Sequence, residues 1–120
     1  MSVNISKAEQ YIMNILPQVT KLQGEINTLG TYLLFDSITI NNAIIDDIDY
    51  IFNLYISVSS KAKNTRLAYD PVSAALQALI NDYVTKQKIE IGKIKPYAVK
   101  HLIVYQIPLT LKGYEHVDCT

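Results

Sequence analysis

Residues 42–59 read NAIIDDIDYIFNLYISVS, and the secondary structure of this stretch decides what kind of protein the chain forms. Ile44, Ile48, Ile51, Tyr55 and Val58 recur at spacings of 4, 3, 4 and 3, the period of an apolar helix face. Ile45, Phe52 and Ile56 widen that arc, while Asn42, Asp46, Asp49 and Asn53 form a single polar stripe. Read this way, the stretch predicts a central helix, covered by neighbours on most sides.

The same spacing recurs on the N-terminal side. Ala8, Ile12, Ile15, Val19, Leu22, Ile26 and Leu29 form an unbroken heptad stripe, the pattern of a helix committed to a packed seam. Ser6 and Glu9 have the spacing of a capping box at its start, and Gly30 is placed to end it. Pro17 falls inside and predicts a kink, because it removes one backbone hydrogen bond and crowds the preceding turn. Between the two helices, Thr31 to Ile40 reads equally as a strand or as a last helical turn.

On the C-terminal side, Ser59 to Tyr69 carries Lys61, Lys63, Asn64 and Arg66 and reads as a solvated connection. Asp70 as cap and Pro71 as first residue predict a third helix. Val72, Leu76, Leu79 and Tyr83 line its apolar face, and it should stop near Lys86. Beyond it, Ile89-Glu90-Ile91 alternates, and Val99 to Leu111 is rich in β-branched and aromatic residues. Two or three short strands are expected there, with a turn near Gly92 or Pro96. The expected fold is therefore α+β and mainly α: a three-helix bundle, its first helix long and kinked, followed by a small C-terminal antiparallel β element. It forms one domain over 1–120, with a helical body (1–87), a β element (88–114) and a tail (115–120).

Composition narrows the function. The chain is 49% hydrophobic and 18% charged, with a net charge of zero, so it has no global attraction for nucleic acid or an anionic membrane. No apolar run approaches the roughly 18 residues of a membrane span, and the N-terminus lacks the basic and apolar regions of a signal peptide. The only cysteine, Cys119, excludes an internal disulfide. A cytoplasmic location is expected, or a virion if the source is viral. A basic set of ten lysines and one arginine suits an AT-rich genome, of the kind found in viruses, mobile elements and some archaea.

Charge is distributed unevenly. Residues 1–85 hold five basic and eight acidic groups, and residues 86–120 hold six and three. In the basic segment, Lys93, Lys95, Tyr97 and Lys100 combine phosphate-neutralising ammonium groups with a ring that can stack on a base. The same lysines would serve equally to protect a sheet edge from aggregation. Asp46 and Asp49, sharing one face of the expected helix, are candidates for docking a basic protein partner. The tail residues Glu115, His116, Asp118 and Cys119 are ligand types, but they lack the paired spacing of a zinc site. No phosphate loop, nucleophile elbow or zinc-protease motif occurs. The sequence thus predicts a non-enzymatic assembly or adaptor protein without cofactor or metal. It would act as a homo-oligomer or as a small subunit of a complex, with nucleic-acid binding through the Lys/Tyr segment as the alternative.

Overall fold

A computed structural model describes residues 3–61 and 65–113, with side chains from 69 onward in the second segment. The chain is mostly β, and the three-helix bundle is not what forms. The order is α1 (Ile5–Ile15), β1 (Thr20–Lys21), β2 (Gly30–Asn42), β3 (Asp47–Ser59), α2 (Thr65–Lys86), β4 (Ile89–Ile91), β5 (Lys95–Val99) and β6 (Leu102–Lys112). The tail cluster Glu115, His116, Asp118 and Cys119, and Lys63 and Asn64 of the expected connection, lie outside the described residues. Nothing is described of the Arg66 side chain.

Residues 47–59 form a strand because a period of two runs through them beneath the period of 3.5. Ile48, Tyr50, Phe52, Leu54, Ile56 and Val58 are all buried, while Asp47, Asp49, Ile51, Asn53, Tyr55 and Ser59 are half-exposed. Successive side chains of a strand point to opposite faces, so one face is continuously apolar. Ile, Val, Tyr and Phe also fit a pleated surface better than a helix. The helical reading placed Ile51 with the core and left Tyr50 and Leu54 out of its stripe; the strand reverses both assignments.

The first helix is shorter than its heptad stripe. Pro17 ends it instead of kinking it: the residue before a proline is disfavoured in the α region, and Leu16 sits at φ −120°, ψ 79°. The cap is Asn4, whose side chain accepts the Lys7 N–H at 3.0 Å. The expected Ser6–Glu9 box does not form, and Glu9 instead pairs with Lys21 at 3.0 Å. Beyond the break the chain extends, Leu29 reaching 59% exposure. The third expected helix is real and ends at Lys86 as its spacing predicts, but it starts at Thr65 and encloses Pro71. A proline there forfeits one backbone hydrogen bond, which a 22-residue helix packed through Val72, Ala75 and Leu79 absorbs.

The strands form one sheet in the order β1-β2-β3-β6-β4, with β5 also on β6. All pairings are antiparallel except β1 with β2. The ambiguous stretch 31–40 is thus strand, and the β tail is present but joins the main sheet instead of forming a separate element. The pair β4 and β5 is one edge strand with a break. Ile91 opposes Leu109 and Lys95 opposes Gln106, so Gly92–Ile94 face Ile107–Pro108, three residues against two. Gly92 N–H donates to the Pro108 carbonyl at 2.8 Å. In an antiparallel strand a residue's N–H and C=O point the same way, so the donor that Pro108 lacks would have faced this break. The hairpin turn falls at Lys100–His101, later than the Gly92 or Pro96 expected.

Both helices cover one face of the sheet. Ala8, Ile12, Leu16, Val72, Ala75 and Leu79 share a core with the even positions of β3 and with Ile107, Leu109 and Leu111 of β6. The period-two reading carries its own test. Leu54→Ala should cost about 2–5 kcal/mol in denaturant unfolding, whereas Ile51→Thr, on the other face, should cost under about 1 kcal/mol. Equal losses would mean that the strand register is wrong.

Candidate contact surfaces

Register places the ends of the molecule. β6 runs from Leu102 opposite Ser59 to Lys112 opposite Asp49. The turn at 43–46 therefore marks one pole, and the Lys100–His101 turn, with Ser60 N–H on the His101 carbonyl at 3.0 Å, marks the other. Asp47 to Ser59 spans about 40 Å at the rise of a strand, and the long axis of the molecule is 52 Å.

At the first pole, the turn is shaped by polar groups. The Asn42 side chain accepts the Ile44 N–H at 3.0 Å, and Asp46 takes the left-handed conformation at φ 55°, which Asp tolerates better than most residues. The isoleucines have no part in this. Ile44 is 94% exposed, and Ile45 and Ile40 are also exposed. Val3 and Ile5, exposed as well, lie at the same end, since the Asn4 N–H between them donates to the Tyr50 hydroxyl at 3.1 Å and Tyr50 opposes Ile38. Asp46 and Asp49, expected side by side on a helix, are here a turn residue and a strand residue. Asp49 is already engaged, by Asn41 at 3.1 Å and Lys112 at 3.2 Å. Burial alone would lower the Lys112 pKa; the hydrogen bond and charge of Asp49, with Glu90 at 3.5 Å, outweigh it and raise the pKa.

The basic residues predicted from sequence run along the sheet edge, from Lys93 beside the middle of β6 to Lys100 at the other pole. Lys93 lies in the break before β5, Lys95 and Tyr97 lie on β5, and Lys100 lies in the turn after it, all exposed. Register puts Lys95, Tyr97, Tyr55 and Tyr32 on the sheet face that the helices leave bare. Part of that face is covered by the loop between β1 and β2. Ile26 and Val104 are buried there, outside the main core. Loop and sheet enclose a cleft of about 390 Å³ lined by Leu22, Gly24, Glu25, Ile26, Asn27, Tyr55, Tyr97, Val99 and Lys100. Burial, then the neighbouring Tyr97 and Asp36, push the Tyr55 hydroxyl above its usual pKa.

A third feature lies between the helices. The Tyr11 hydroxyl donates to Asp82 at 2.6 Å, Asp82 is buried, and its second oxygen has no hydrogen-bond partner among the described residues. Lys86 and Lys88 approach the Tyr11 ring at 5.7 Å each, so this pair ties α1 to α2. Among the described residues no three His, Cys, Asp or Glu side chains gather to hold a metal, and no helix is long and apolar enough to cross a membrane. No model of a known protein family and no curated protein matches this chain.

Sequence reasoning missed Ile44 and Ile45, which it assigned to a buried helical arc, and Leu22 and Ile26, which it assigned to a heptad seam. Asn42 and Asp46, both turn formers, were the available signal for the hairpin. Two outcomes are expected. Ile44→Asp should leave unfolding free energy within about 0.5 kcal/mol, as for a side chain that touches nothing. Tyr11→Phe should destabilise by about 1–3 kcal/mol, because it takes the hydrogen bond from a buried carboxylate. The Lys112 pair adds a pH signature. Its raised folded pKa contributes stability that is complete below the unfolded value of 10.5. That stability disappears as pH rises through the folded value, an alkaline loss that Lys112→Met should remove.

Proposed function

We propose that this chain is a non-enzymatic assembly or adaptor protein that works through protein–protein contacts, with the β2–β3 hairpin tip as its contact surface. The observation that carries this reading is Ile44, 94% exposed at a turn whose geometry depends on Asn42 and Asp46. An apolar side chain held in water at the end of a long hairpin contributes nothing to the fold. Burying it against a partner gains about 25 cal/mol for each Å² removed from water. The chemistry around it favours protein over the alternatives. Asp46 in the turn and Asp47 at the start of β3 put negative charge at the tip, which disfavours both anionic lipid and nucleic-acid phosphates.

Placing a photoreactive residue at Ile44, and as a control at the exposed Gln77 of α2, tests the reading in cells that make the protein. A discrete cross-linked protein species from Ile44 alone is expected. Equal or absent cross-linking at both positions would remove the hairpin tip as a contact surface.

A second reading, nucleic-acid binding, is favoured by one observation: Lys95 and Tyr97 share the bare sheet face with Tyr55 and Tyr32, a surface on which bases could stack. Glu25 at the rim and the loop lying over the face oppose it. This reading predicts that a fluorescent single-stranded oligonucleotide binds with steep salt dependence, and that Lys93→Ala, Lys95→Ala and Lys100→Ala together abolish binding without unfolding. Unchanged affinity in that variant would leave the lysines as protection for the edge strand.

A further inference from the structure

The two poles are complementary to each other, in shape and in charge. The tip is a narrow projection that presents Ile44 and Ile45 beside Asp46 and Asp47. The opposite pole carries a cleft of about 390 Å³ whose apolar lining, Leu22, Ile26 and Val99, is bordered by Lys100, with Lys95 on the adjoining strand. Both lie on one molecule, at opposite ends of its 52 Å axis. A tip cannot reach its own cleft about 40 Å away, but it can reach that of another copy.

Resting on the assembly reading above, we propose that the partner is a second copy of this chain. The hairpin tip of one copy seats in the β5 cleft of the next, Ile44 and Ile45 against Leu22, Ile26 and Val99, with Asp47 facing Lys100. Tip and cleft are different surfaces at opposite ends, so two antiparallel copies can satisfy both contacts in a two-fold dimer, whereas copies joined head to tail propagate into a ring or a filament. Glu25 shares the cleft with Lys100, so the electrostatic term sets orientation, and the isoleucines carry the affinity. Four turn residues against one cleft bury far less than the roughly 1,200 Å² of a stable standard interface. Assembly therefore depends on high protein concentration.

Sedimentation velocity on the full chain at low salt, from about 10 μM to about 1 mM, reads this directly. The expected result is a weight-average mass that climbs with concentration above the monomer's 13.5 kDa, levelling at twice that mass if two copies pair reciprocally and passing it if they join head to tail. Ile44→Asp should hold it at the monomer. Asp47→Lys and Lys100→Glu should each lower the mass, and the two in one chain should restore it, because each altered tip then meets an altered cleft. A covalent measurement keeps the geometry falsifiable. Ile44→Cys and Asn27→Cys proteins, each carrying Cys119→Ser, are mixed and oxidised, and the mixed disulfide should outnumber both self-pairs.

A chain that stays monomeric throughout and forms no mixed disulfide overturns the copy-to-copy contact. So does a dominant Ile44→Cys self-pair, which would mean tip against tip. If the purified chain is monomeric while the Ile44 photo-cross-link to a different protein persists in cells, only this inference falls and the adaptor reading stands. Loss of both removes both. An oligonucleotide that occupies the cleft of a monomeric chain would instead assign that pole to nucleic acid.

Discussion

Alternation along β3 is the constraint on which the rest of the molecule depends. Its even positions, from Ile48 to Val58, are buried without exception. They contact neighbours on three sides: β2, β6 and, above the sheet, the two helices. A shift of one residue would turn Asp47, Asp49 and Asn53 into that core and expose Phe52 and Leu54, so the register is strongly determined. Irregularities in the neighbouring strands respect it. The extra residue at Asp36 in β2 keeps both Phe35 and Ile38 on the core side although they are three apart, and the Phe35 ring meets Phe52 edge-on at 5.4 Å.

The sheet has two unequal faces. Both helices lie on one face. Among the described residues the other is covered at one end, by the Leu22–Leu29 loop, where Ile26 and Val104 are buried and the Tyr32 hydroxyl lies 2.6 Å from Thr28 Oγ1. The opposite end is a long hairpin whose tip extends past the helices. Polar groups shape the turn, so its apolar side chains are free of structural duty. Under the proposed assembly reading, folding would be handled by the body and contact by the projecting end.

Some of this organisation was readable from particular residues. Helix α2 and its end at Lys86 followed from Val72, Leu79 and the polar residues between them, because one amphipathic face is buried and the other is wet. The strands after Lys86 followed from the β-branched and aromatic residues of 99–111. Of the segment singled out for its lysines, Lys95 and Tyr97 lie on β5, with Lys93 in the break before it and Lys100 in the turn after it. Two stretches misled. In 8–29 the heptad stripe was real as a spacing, but Pro17 stopped the helix that would have used it. In 44–58 apolar residues are so dense that periods of 2 and 3.5 both fit, although the composition is that of a strand.

The sequence by itself determined which residues could be buried, that a helix ends at Lys86, and the charge split between the acidic first part and the basic end. Those properties belong to side-chain chemistry and to neighbours a few positions apart. Only the tertiary structure decided between the two periods of 44–58, because a strand there is stable when β2 and β6 supply its hydrogen bonds, and neither is adjacent in the helical reading. It also decided which apolar residues remain outside. Ile44 and Ile48 look alike in sequence, yet one is in water and the other at 1% exposure, since the hairpin turns between them and only the second lies under the helices.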